Sequence, residues 1–285
     1  MKCEKLSGWF LLSPIPVTLT KRFQPAENLL IHISPRSQMT QSKHQILFRL
    51  FDRYIPVISI GEKLMVFSKK DYKEEMKRRN FQTAIIDSPL GLLKYDLGSD
   101  GPSPLADADI MSGETPLLTA FEKLAYQRRF FLKEGKHITH IVTQSDLDKI
   151  PMRLAMIGFI SVWETYLREL VKLEIPDWEQ SLSQKRIEDA RQLFALKTAR
   201  NEEIDLIQCL QLADLGSIFS KKQRFKRFLP SSNRQEYDNI TRNIGKLRDA
   251  LAHSQTILPF TWKEIHLQMS FIRTAIKNKG RQTFG

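Results

Sequence analysis

Past Pro151 the chain carries no further β-like runs, and apolar residues recur at heptad-like spacing through long segments, which predicts an all-helical C-terminal half. Tyr237, Ile240, Ile244, Leu247 and Leu251 form one stripe; Trp262, Ile265, Met269, Ile272 and Ile276 form a second with the same spacing. Two amphipathic helices packed as an antiparallel pair are expected. Asn233 followed by Glu236 predicts an N-terminal cap for the first, and Pro259 lies in the connection. The apolar run Leu154 to Trp163 is about half the length a bilayer span requires, so a buried helix is expected there.

Between about Asn28 and Arg153 the pattern is different: short β-like runs alternate with helical ones, and Gly98 to Ser103 divides two similar units. In the second, Leu117, Phe121 and Leu124 share a helix face, followed by strand Arg129 to Lys133, a Gly135 turn and strand Ile138 to Val142. The first repeats this order as helix Asp71 to Arg79, strand Phe81 to Ile86, a Ser88-Pro89 turn and Gly91 to Leu97. A second register, using Ile55 to Ile60 and Leu64 to Phe67 with Ser68 to Asp71, fits as well. Two domains follow in an α+β chain: an extended segment 1–27, a paired-repeat α/β module 28–152 (units about 28–98 and 104–152), and a helical bundle 153–285.

The 285 residues, 41% hydrophobic and 27% charged, are enough for two ordinary cores. Two cysteines, Cys3 and Cys209, make no disulfide framework, which suits a reducing interior; Pro14 and Pro16 interrupt the apolar start before a signal-peptide core develops. A cytoplasmic location without membrane attachment is expected. The net charge of +12 divides evenly between the halves, and only Lys221 to Arg227 and Arg273 to Arg281 are locally dense in basic residues.

The string Ile138-Thr139-His140-Ile141-Val142-Thr143-Gln144-Ser145-Asp146-Leu147 resembles the second strand and following helix start of a CBS domain. The resemblance implies an adenosine-containing regulatory ligand (ATP, ADP, AMP or S-adenosylmethionine), with Thr143 on phosphate or ribose and Asp146 on the ribose hydroxyls. His140 stands where the family often has glycine. In the first unit Lys94 takes the hydroxyl's expected place, leaving Asp96 of the pattern. Helix capping by Thr143 and Asp146 is the competing explanation. His137 and His140, three apart on a strand, are expected on opposite faces, and no third ligand is evident, so no metal is expected.

Leu247-Arg248-Asp249-Ala250-Leu251-Ala252-His253-Ser254 resembles the signature of HEPN domains, and Ile160 to Leu170 resembles that family's first helix. Across about residues 80 to 280 the chain looks like a bacterial group of CBS-HEPN fusions. The resemblance implies an all-helical homodimer that cleaves RNA with no metal or other cofactor, His253 serving as general base or acid, Arg248 stabilising developing charge, and Asp249 orienting one of them or interacting across the dimer. Independently, 100° per residue turns His253 roughly 160° from its helix's apolar stripe, beside Asp249, Lys246 and Arg242. Lys221, Lys222, Arg224, Lys226, Arg227, Arg242 and Lys246 are expected to hold the RNA backbone, with Phe225 and Phe228 available for base stacking. The leading reading is an adenine-nucleotide-regulated endoribonuclease. The alternatives are a non-catalytic nucleotide sensor that binds RNA or a protein through its helical dimer, and a dimerisation module without ligand.

Overall fold

The computed structural model describes residues 43–277 except 90 and 231; the expected segment 1–27, the start of the first unit and Arg281 lie outside them. After α1 (Lys43–Arg53) come two small four-stranded sheets, and then a helical C-terminal region. The first repeat runs β2 (Val66–Phe67), α2 (Tyr72–Arg79), β3 (Thr83–Ile86), β4 (Leu93–Asp96), and ends on β5 (Ser103–Pro104). The second runs β6 (Ile110–Ser112), α3 (Leu117–Leu124), β7 (Arg129–Glu134), β8 (His137–Thr143). In each, the first strand lies parallel to the second and the second antiparallel to the third. The edge strand β1 (Glu62–Lys63), which precedes the first repeat, pairs with β8 of the second. The two registers read from the sequence therefore combine: Val66 and Phe67 supply the first strand, whereas residues 57–59 form a 3₁₀ turn instead of a strand.

Strand alternation gives each sheet a core face and a face toward the other repeat. Ala84 and Ile86 pack with Phe67, Tyr72 and Met76 in a small core belonging to the first repeat. Phe130, Leu132 and Val142 instead join the large core that continues through the helices. Ile85 and Phe131 are buried yet belong to neither core, as expected of residues on the opposed faces. Across the repeats, the Arg129 guanidinium meets the Asp96 carboxylate at 2.5 Å.

The helices α4 (Ile150–Glu174), α5 (Gln184–Ala199), α6 (Leu212–Lys221), α7 (Arg234–Ala252) and α8 (Trp262–Lys277) complete the fold. Pro151 sits in the first turn of α4, where its missing N–H costs nothing. With Met156, Phe159, Ile160, Trp163 and Leu167 fully buried, α4 is the central helix and touches α1, α6, α7 and α8. Residue 152 thus falls inside one continuous helix, and the core runs across it. Both apolar stripes face the core as expected, with Ile240 and Trp262 half-buried and the rest buried, and Asn233 caps α7 reciprocally with Glu236. α7 and α8 touch as expected, but α7 packs more extensively on α6 and α4 than on α8.

Close packing ties the helical half to α1 and to the second repeat. Gly158 of α4 lies against the Phe51 ring of α1, and a Cβ there would overlap the ring. Gly158→Ala is expected to destabilise the fold by about 1–3 kcal/mol, even though alanine is favoured over glycine in a helix by about 1 kcal/mol. A urea midpoint equal to or above the wild type's would contradict this close approach. On α8, His266 packs edge-on to Phe121 and Tyr126, its Nε2 3.1 Å from the Ser270 hydroxyl. Burial pushes this imidazole below its ordinary value of 6.5; Glu122 opposes the shift and Arg273 adds to it. The unfolded chain therefore takes up the proton first. The stability tied to His266 is complete above about pH 6.5 and declines as the pH falls through that value toward the folded pKa. Melting curves at pH 7.5 and 5.5 should show a drop that His266→Gln reduces.

Candidate functional site

A cavity of about 910 Å³ opens between the repeats, and Thr143, Asp146 and Asp96 all line it. Thr143 ends β8, and the chain turns there into a short 3₁₀ segment whose N-terminus is closed by Asp146. The Asp146 Oδ2 accepts the Thr143 N–H at 2.7 Å and the Thr143 hydroxyl at 2.8 Å, while Oδ1 faces the Lys149 ammonium at 2.8 Å. Lys149, the residue before α4, also bonds the Ile60 carbonyl and Glu62. Desolvation lowers the Lys149 pKa, but the two carboxylates outweigh it and leave the ammonium above its ordinary value. The capping arrangement weighed from the sequence is thus present, inside the wall of a cavity.

The sheet register corrects the correspondence between repeats. Arg129 pairs with Thr143 in the second sheet and Thr83 with Asp96 in the first, so Asp96 occupies the place of Thr143, not that of Asp146, and Lys94 lies two residues earlier. A match of Asp-Leu pairs in sequence ignores where the strands end. Lys94 instead bonds Asp109 at 2.5 Å, ahead of β6. Asp96 Oδ1 accepts from the Thr83 hydroxyl at 2.7 Å and from Arg129 Nη2 at 2.5 Å. Burial raises this carboxyl, yet Thr83 and Arg129 overcome it and hold Asp96 below the usual carboxylate range. Met65, Phe81 and Leu97 add exposed apolar wall, with Lys63 and Arg128 exposed beside them. The cavity can therefore hold a flat apolar ring, a hydroxyl donor and an anion together.

The second set of residues lies at the far end of α7. His253 ends the helix, Ser254 follows at φ 50°, and the N–H groups of Ser254 and Gln255 bond back to Leu251 and Ala250. This pattern closes the last turn, a job glycine usually has, which is why the sequence does not announce it. His253 is exposed, as the helical geometry predicts, and its side chain makes no hydrogen bond or ion pair among the described residues. Arg248 Nη1 donates to Asp249 at 2.9 Å, and Arg248 Nε lies 3.6 Å from Glu164 of α4. Glu164 is buried and lies 3.7 Å from Arg168 on its other oxygen. Sequence reasoning missed Glu164; its signal was an acid in the apolar row Ile160, Trp163, Leu167, where an unpaired charge could not stay.

The basic residues separate into two groups. Lys221 bonds the Ser181 carbonyl at 2.8 Å, Lys222 pairs with Asp177, and Arg227 with Glu174. Among the described residues Arg242 bonds Asn239 of its own helix, at 3.3 Å. Arg224, Lys226 and Lys246 are exposed with no ion pair among the described residues. The expected stacking role of Phe225 and Phe228 is corrected: both are buried, against Tyr237, Trp163 and Phe219, because the 3₁₀ turn Arg224–Arg227 folds its aromatic side inward. Arg273 also faces inward, to Asp52 and Glu122.

Among the described residues no group of three or more His, Cys, Asp or Glu could hold a metal. The face argument for His137 and His140 does not hold, since the β7–β8 register slips between Leu132 and Lys133 and breaks the alternation. No helix among the described residues is long and apolar enough to cross a membrane. No protein-family model, curated protein or solved structure matches the chain.

Proposed function

We propose that this protein is an adenine-nucleotide-regulated endoribonuclease, in which a CBS-like pair of repeats senses the nucleotide and a HEPN-like helical domain, acting as a cytoplasmic homodimer, cleaves RNA without a metal. The observation that carries this reading is the C-terminal end of α7, which bears an exposed imidazole, His253, and a half-exposed guanidinium, Arg248, whose Nε lies 3.6 Å from the buried Glu164 carboxylate. The Glu164 carboxylate faces Arg248 from the Nε side and Asp249 takes Nη1, so Nη2 is the outer nitrogen that remains for a phosphate. His253 takes the proton of a ribose 2′-hydroxyl, O2′ attacks the adjacent phosphorus, and the P–O5′ bond breaks. Arg248 stabilises the charge on the pentavalent phosphate, and the departing O5′ receives a proton from the second copy's motif or from water. The products carry a 2′,3′-cyclic phosphate and a 5′-hydroxyl. Arg224, Lys226, Arg242 and Lys246 are the cations best placed to meet the RNA backbone.

The test is cleavage of a labelled RNA pool in EDTA by wild type and His253→Ala, with and without ATP, ADP, AMP or S-adenosylmethionine. Cleavage that is lost in the variant and altered by one of these ligands is the expected result. A specific observation favours a second reading, a non-catalytic nucleotide sensor: Lys221, Lys222 and Arg227 are spent on bonds within the chain, and Arg248 already holds Asp249. No cleavage by wild type under any condition, with nucleotide binding intact, would leave that reading in place of the enzyme.

A further inference from the structure

The resemblance to CBS domains would give the ribose hydroxyls to Asp146, but the hydrogen bonds around the cavity point elsewhere. A carboxylate offers about four lone-pair positions. Asp146 has three of them taken, two on Oδ2 by Thr143 and one on Oδ1 by Lys149, and its side chain is only 8% exposed. For a diol to bind there, Lys149 must leave both Asp146 and the Ile60 and Glu62 contacts that hold it. Asp96 differs. Both of its donors, Thr83 and Arg129, converge on Oδ1, while Oδ2 receives none among the described residues and the side chain is 39% exposed in the cavity wall.

We infer that Asp96 is the residue that reads a vicinal diol in this cavity, its Oδ2 accepting both hydroxyls of a ribonucleotide while Arg129 and Thr83 hold the carboxylate in place through Oδ1. The inference rests on the nucleotide reading of the cavity and assigns its specificity to the first repeat. Arg129 is a positioning residue here: its guanidinium lies over the Phe131 ring, 5.8 Å from the centroid, and reaches across from the second repeat to fix the acid of the first. A ribonucleotide held this way touches both repeats, with Asp96 on its sugar and the Thr143 end of β8 near its anion. Removing the hydroxyls leaves Oδ2 without donors and forfeits two hydrogen bonds to a charged acceptor.

The experiment measures binding of AMP, ADP and ATP, each beside its 2′,3′-dideoxy form, by calorimetry on the full chain. Wild type is expected to prefer the ribose form about ten- to hundredfold. Asp96→Asn should bring that ratio to within about threefold, whereas Asp146→Asn should keep it, even if both forms bind more weakly. Arg129→Gln, which breaks the cross-repeat ion pair but leaves the carboxylate and its Thr83 bond, should lower the ribose preference to a value between those of wild type and Asp96→Asn; a ratio equal to the wild type's would overturn the positioning role of Arg129. A ratio preserved in Asp96→Asn or erased in Asp146→Asn overturns the assignment while leaving nucleotide binding standing. Absence of binding by any of the three nucleotides to wild type overturns the nucleotide reading itself, and this inference with it.

Discussion

An Asp52→Ala protein is expected to melt about 6–12 °C below the wild type. Asp52 lies on α1 with its side chain only 3% exposed, 2.6 Å from Arg273 Nε and 3.5 Å from Lys277 Nζ of α8. Arg273 also pairs with Glu122 and donates to the Thr119 hydroxyl, so one guanidinium ties α1 and α3 to α8. Removing one partner of a buried pair costs about 3–5 kcal/mol, mostly because the other charge is left unpaired in a poor solvent. Here Arg273 keeps Glu122, which puts the loss near the lower end, about 3 kcal/mol, and each kcal/mol lowers the melting point of a domain this size by roughly 2–4 °C. Adding Arg273→Met should recover much of the loss, since it removes the stranded charge. A single variant that melts within about 2 °C of wild type would show that the cluster contributes little.

His253→Ala is expected to lower RNA cleavage by roughly 10²–10⁴-fold, the range for losing a proton-transfer group, while leaving the fold unchanged within about 0.5 kcal/mol. The separation of the two effects follows from its place: the side chain is exposed, and the turn that ends α7 is closed by backbone N–H groups, which alanine keeps. Arg248→Ala is a less clean variant, because it leaves the buried Glu164 facing only Arg168 at 3.7 Å and should destabilise the protein as well as slow cleavage. Equal cleavage rates for wild type and His253→Ala, with equal melting points, would remove the imidazole from the chemistry.

The sequence by itself determined the features that repeat over a few residues. The change from alternating runs to heptad-like spacing at Pro151 marks where sheets give way to helices, because side-chain direction repeats every 2 residues in a strand and every 3.6 in a helix. Capping of α7 by Asn233 and Glu236, the Gly135 turn and the outward face of His253 were legible for the same reason: each depends on neighbours within one turn or hairpin. Tertiary structure alone decided which surfaces meet. Periodicity shows that α7 and α8 each have an apolar stripe, but only the tertiary structure determines that α7 lays its stripe mainly on α6 and α4 and α8 lays its own mainly on α4. Phe225 and Phe228 have the composition of a stacking platform and the location of a core, and nothing local distinguishes the two. Glu164 beneath Arg248, and Asp96 beside Arg129, join residues 84 and 33 positions apart, which no spacing rule encodes. A buried charge selects whichever opposite charge the packing brings within a few ångströms, and packing is settled by the whole chain at once.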